Sequence, residues 1–144
     1  MSRTRVPSEV RERVRAAAAY RCGYCLSQQR YVLGIMEIEH IIPLAGGGTD
    51  EEENLWLSCG LCNRYKGTQT SHIDPETGET VSLFNPRLQK WSDHFCWDAT
   101  GTRVVGLSPT GRATVIAMKF NNPIAVEVRT GRVLANWHPP EDIP

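Results

Sequence analysis

Two cysteine pairs constrain this chain more than anything else in it. Cys22-Gly-Tyr-Cys25 and Cys59-Gly-Leu-Cys62 have the same two-residue spacing and are separated by 33 residues. That spacing lets a tight knuckle aim both of its sulfurs at one point. Two such knuckles close a tetrahedral four-thiolate shell around zinc with no position left open, the form structural sites take. The intervening chain must then fold back on itself. A disulfide framework would need an oxidising compartment. The arginine-rich stretch from Met1 to Arg15 lacks the uncharged apolar core of a signal peptide, so a cytoplasmic address is expected. A redox pair would account for one Cys-x-x-Cys and leave the other idle. Structural zinc on Cys22, Cys25, Cys59 and Cys62 is therefore the expectation. The fifth cysteine, Cys96, stands between Phe95 and Trp97 and is expected to be a buried free thiol.

The 144 residues suit about one domain, 40% are hydrophobic and 22% charged, so collagenous, coiled-coil and wholly disordered classes are out. No apolar run approaches the ~20 residues of a membrane-spanning helix. The net charge of zero hides an asymmetry. Residues 1–30 hold seven arginines (Arg3, Arg5, Arg11, Arg13, Arg15, Arg21 and Arg30) against Glu9 and Glu12, a surplus of five. Arg11 and Arg15 share one helix face and could neutralise phosphates; a solvated helix face is the plainer alternative.

Val10, Val14 and Ala17 or Ala18 repeat at helical spacing, which predicts a helix over Glu9–Tyr20 with Ser8 as N-cap. Tyr31–Ile41 alternates and is rich in β-branched residues, so it reads as a strand, with Met36 and Ile38 on one face and Glu37 and Glu39 on the other. Residues 43–54 (PLAGGGTDEEEN) form a glycine-rich, acidic loop. Leu55–Ser58 is a second short strand, and the Cys59–Cys62 knuckle runs into a short helix ended by Gly67. Beyond it, DPETGE (74–79) is a turn-rich link, Val81–Phe84 a strand, and the aromatic segment through Leu107 one or two more. Ser108-Pro109 starts a helix through Lys119. Asn122-Pro123 repeats that signal, although residues 126–135 also read as a hairpin around Gly131. The organisation expected is a core over 1–74 and an appended extension over 75–144.

Between the knuckles lies the string EHIIPLAGGGTDEEENLWLSCGLCNRYKG, which resembles the HNH endonuclease family, whose core is the ββα-metal (His-Me) finger. The resemblance rests on an acidic-His pair, Ile-x-Pro, a glycine-rich loop, Asn-Leu, and Cys-x-x-Cys-Asn-x-x-Lys, in that order over about residues 20–70. It implies an α+β fold: a zinc-stapled ββα finger with an N-terminal helix and a C-terminal strand and helix extension. It also implies that His40 is the general base, that Asn54 ties down the loop and orients the histidine, and that Asn63 occupies the last motif position. Glu39 stands where many members have Asp. The tail is similar to the extension of a group of small bacterial HNH proteins, which favours helix over 123–135.

The residue types suit phosphodiester hydrolysis. Imidazole exchanges its proton around neutral pH and can take one from water. Glu39 and Asn63 offer hard oxygen ligands to Mg²⁺ or Mn²⁺. Lys66, three residues after Asn63, could meet a phosphate or be a solvated lysine. Glu37 shares the face of Glu39, either as a further ligand or behind one. His72 and His94 read as polar surface or satisfied hydrogen-bonders. A metal-dependent endonuclease cutting DNA is the expectation, with RNA as another substrate class; the rival is a non-catalytic zinc module that binds DNA or protein through the N-terminal arginines.

Overall fold

The computed structural model describes residues 6–144. Arg3 and Arg5 of the basic arm lie outside the described residues. The chain divides into two compact units: one runs to Thr70 and includes Asn85–Arg87, and the other comprises Ser71–Phe84 and Leu88–Pro144.

The first unit begins with helix α1, Ser8–Ala17. Val14 is buried with Val6 and Leu55, and Val10 and Ile38 pack against them, so the apolar spacing read from the sequence is the face that meets the core. Ser8 is not the N-cap. Pro7 holds that place in an extended conformation without a side-chain bond, and its carbonyl accepts from Arg11 N at 3.0 Å. The helix also stops short of Tyr20. Ala19 and Tyr20 take left-handed φ values of 57° and 56°, and Tyr20 N returns to the Arg15 carbonyl at 3.0 Å.

Strand β1 is Glu37–His40, shorter than the span from Tyr31 that alternation suggested. The Gln29 side chain explains the difference. Its Nε2 donates to the Gly34 carbonyl at 2.9 Å, and its Oε1 accepts from Met36 N at 2.8 Å. Backbone groups that a ladder would have used are satisfied by one amide. Strand β2, Leu55–Ser58, pairs antiparallel with β1, placing Glu37 opposite Ser58 and His40 opposite Leu55. Helix α2, Gly60–Lys66, follows at once and ends at Gly67, whose φ is 54°. Strand, loop, strand and helix form the ββα arrangement, in an α+β chain of small antiparallel sheets.

The second unit contains the antiparallel pairs β3–β4 (Ser71–Ile73, Thr80–Ser82) and β5–β6 (Phe95–Trp97, Val104–Gly106) with three helices, α3 (Trp91–His94), α4 (Pro109–Ala117) and α5 (Pro123–Leu134). The Ser108 and Asn122 side chains cap α4 and α5 by accepting from Gly111 N and Ala125 N, each at 3.0 Å. Residues 126–134 are therefore helical rather than part of a hairpin, and Ala135 is the C-cap. Strand β3 gave no sequence signal of its own. Cys96 is exposed, not buried: its neighbour Phe95 points inward on β5, and successive strand residues face opposite sides. No helix among the described residues is long and apolar enough to cross a membrane.

Candidate metal centre and active site

The fold-back between the knuckles brings Cys22, Cys25, Cys59 and Cys62 together, all four sulfurs within 4.8 Å of one another. The Cys25 and Cys59 sulfurs lie 3.8 Å apart, unbonded. A tetrahedron with Zn–S bonds of ~2.3 Å has edges of about 3.8 Å, so the set fits a structural zinc. Each knuckle also turns a backbone N–H onto its first sulfur: Tyr24 N to Cys22 Sγ and Cys62 N to Cys59 Sγ, both at 3.4 Å. Burial pushes the Cys22 thiol well up, and crowding by the other three sulfurs pushes Cys62 up while holding Cys25 well below the usual thiol range. A cation is what would let four such neighbours ionise together. Gly23 permits the first knuckle to close, because a Cβ there would sit 2.2 Å from the Trp56 ring.

The second cluster is built by β1, the following loop and α2. His40, Glu39 and Asn63 line one open cleft of about 290 Å³, together with Pro43, Leu44 and Thr68. Glu39 is only 2% exposed. Tyr24 OH donates to its Oε2, and Lys66 Nζ lies 3.3 Å from its Oε1, which has no hydrogen-bond partner among the described residues. Burial raises the carboxyl pKa, and the Lys66 charge opposes that rise. Asn63 Nδ2 donates to Glu37 Oε1 at 2.5 Å, which leaves the amide oxygen as the atom it can offer a cation. Oxygen donors of this kind suit a hard divalent ion. Glu37 itself is exposed and joined to Asn63 rather than to Glu39.

Lys66 is not positioned as a phosphate contact. It is 3% exposed, and its Nζ donates to the His40 and Ile41 carbonyls at 3.1 and 2.8 Å as well as facing Glu39. The ammonium thus ties α2 to the end of β1 from inside. Asn54 closes the loop. Its Oδ1 accepts from Ile42 N at 2.9 Å, and its Nδ2 donates to the Ile42 and Thr49 carbonyls at 3.0 and 2.8 Å. Gly48 is required beside it, since a Cβ there would fall 1.7 Å from the Ile42 carbonyl oxygen.

Two neighbours of the expected residues were not read from the sequence. Tyr24, inside the first knuckle, reaches Glu39. Asp50, in the acidic loop, meets His40: its Oδ1 is 2.7 Å from Nε2. The sequence shows Asp50 only as one of four consecutive acids, with nothing to distinguish it. Arg11 and Arg15 are half-buried on α1, and Arg13 on the same helix pairs with Glu52 at 2.8 Å. In the second unit, His94 Nδ1 is engaged with Ser108 Oγ at 2.6 Å, and His72 lies on β3.

Residues 22–69, a third of the chain, match the family model described as HNH endonuclease. That span contains both knuckles, the β1–β2 hairpin and α2. No curated protein and no solved structure matches the chain.

Proposed function

We propose that this chain, which carries an HNH endonuclease segment over residues 22–69, is a metal-dependent nuclease that hydrolyses DNA phosphodiesters to 5′-phosphate and 3′-hydroxyl ends. The observation that supports it best is the meeting of His40, Glu39 and Asn63 in one cleft of the ββα unit. A module that only binds has no use for an imidazole beside two oxygen donors at an open cleft. The four cysteines hold structural zinc, which fixes where β1, β2 and α2 stand. Glu39 and Asn63 would hold Mg²⁺ or Mn²⁺, which supplies charge neutralisation to a phosphate in the transition state.

The chain's own residues do the rest. His40 accepts the proton of the attacking water. Asn54 keeps the loop after β1 closed through its three backbone bonds, and Lys66 anchors the same strand end from below. Tyr24 and Lys66 hold the Glu39 carboxylate against rotation. The helix-borne Arg11 and Arg15 meet the DNA backbone outside the cleft.

The test is incubation of the zinc-loaded protein with supercoiled plasmid, with and without Mg²⁺ or Mn²⁺. His40→Ala should keep its fold, zinc and DNA affinity while losing ~10²–10⁴ in rate, and added metal should not restore it. Asn63→Ala should recover part of its activity at higher metal concentration. Equal cutting by wild type and both variants would take the chemistry away from His40 and Asn63, and no cutting by wild type would return the chain to the zinc-module reading.

A further inference from the structure

We propose that Asp50 is a positioning residue for His40: its carboxylate fixes the imidazole so that Nε2 carries the proton and Nδ1 keeps the lone pair that accepts the proton of water. This rests on the nuclease reading of the cleft and adds a residue and an atom to it.

The geometry begins with the contact itself. Asp50 Oδ1 lies 2.7 Å from His40 Nε2, and the two side chains are 32% and 24% exposed, sheltered enough for the pair to persist. An ionised carboxylate can only accept hydrogen bonds. The partner nitrogen must therefore be the N–H, and the second ring nitrogen is left unprotonated in the neutral ring. Fixing a histidine tautomer through the far nitrogen is what an adjacent carboxylate does best.

The loop is built to deliver that carboxylate. Thr49, next to Asp50, gives its carbonyl to Asn54 Nδ2 at 2.8 Å and its hydroxyl to Glu51 N at 3.2 Å. Gly48, with no room for a Cβ, lets the chain pass against the Ile42 carbonyl. Residues on both sides of Asp50 are thus pinned to the backbone just beyond His40. The histidine's own carbonyl is held by Lys66 at 3.1 Å. With the backbone held at both ends, the remaining freedom is rotation and tautomerism of the ring, and Asp50 removes both. Among the four acids of the loop it has a different task from Glu52, which pairs with Arg13 on α1.

The test uses zinc-loaded, full-length protein. In wild type, two-bond proton–nitrogen correlations of the His40 ring, recorded where the ring is neutral, should show Nε2 protonated and Nδ1 bare. Asp50→Ala should give a mixture of tautomers. In plasmid cleavage it should lower kcat ~10²-fold or more with KM for DNA and the divalent-ion requirement unchanged. Asp50→Asn keeps the size but can donate or accept, so its tautomer mixture and kcat should fall between the two; it carries the test if Asp50→Ala does not fold. Wild-type kcat in folded Asp50 variants, or an unchanged tautomer, would overturn the proposal while leaving the nuclease reading in place. A wild type that cuts no DNA would remove the nuclease reading, and with it the catalytic role given to Asp50.

Discussion

The two units of this chain achieve order by different chemistry. In the unit that runs to Thr70, buried apolar side chains such as Val14, Leu26, Met36, Leu55 and Leu57 share the interior with groups of another kind. Those groups are the four cysteines and the buried Glu39–Lys66 pair, with the Asn54 clamp nearer the surface. The other unit is held by rings. Phe95 lies 5.1 Å from Phe84, 5.2 Å from Trp91 and 5.6 Å from Phe120, centroid to centroid, in tilted or edge-on arrangements. Charges and thiols are buried only with partners to satisfy them, whereas an aromatic cluster packs without any. The region with the staple is also the region with the cleft. The buried charges of that site stand beside a four-cysteine cluster that fits a structural zinc.

The largest effect that separates the units is loss of the staple. Structural zinc is worth ~10–16 kcal/mol in small zinc peptides. Cys22→Ser or Cys62→Ser should therefore abolish zinc retention, expected at about one ion per chain, and collapse hydrogen-exchange protection over residues 22–67. Protection around Phe95 and Phe120 should persist. A folded, zinc-free protein would erase the contrast. Next, Phe95→Ala should cost ~3–5 kcal/mol in denaturant unfolding of the ring-held unit, with zinc content unchanged. A smaller step back in the stapled unit is Lys66→Met, which leaves the Glu39 carboxylate buried without its partner and should cost about 3 kcal/mol. Adding Glu39→Gln should recover part of that loss, whereas an additive double variant would show that the pair is not coupled.

Acid should weaken the ring-held unit through one carboxylate. Arg112 grips Asp74 through two bonds of 2.9 and 3.0 Å and holds its pKa far below the usual carboxylate range. A depressed folded-state pKa contributes stability above the ordinary carboxylate pKa of ~4 and loses it as pH falls below that value. Asp74→Asn should be less stable at neutral pH and show a flatter acid limb in thermal melts; an unchanged limb would assign the acid sensitivity elsewhere. The smallest structural effect belongs to α1. Replacing Arg11 and Arg15 with Ala should change stability by less than ~0.5 kcal/mol while lowering the salt dependence of DNA binding by up to ~0.9 in log–log slope per lost phosphate contact. Unchanged affinity and slope would make that helix a solvated face and move DNA recognition to other residues.

The sequence by itself determined whatever is encoded in short spacings and local bonds. The Cys-x-x-Cys pairs, the second strand at Leu55–Ser58, the helix stop at Gly67 and the Ser108 and Asn122 caps were all legible, because each depends on residues within a few positions of one another. His40, Glu39 and Asn63 were legible through a motif. Tertiary structure alone decided what those residues touch. Lys66 could be a surface cation or an internal tie until the end of β1 closed over it. Cys96 faced out because the register of β5 turned Phe95 in. Gln29 shortened β1 by reaching five and seven residues along the chain. Asp50 is ten residues from His40, and no period of helix or strand relates them. The loop that joins them has its path set by Gly48 and the Asn54 clamp, and side-chain contacts across such a loop depend on the closed path rather than on any repeat in the sequence.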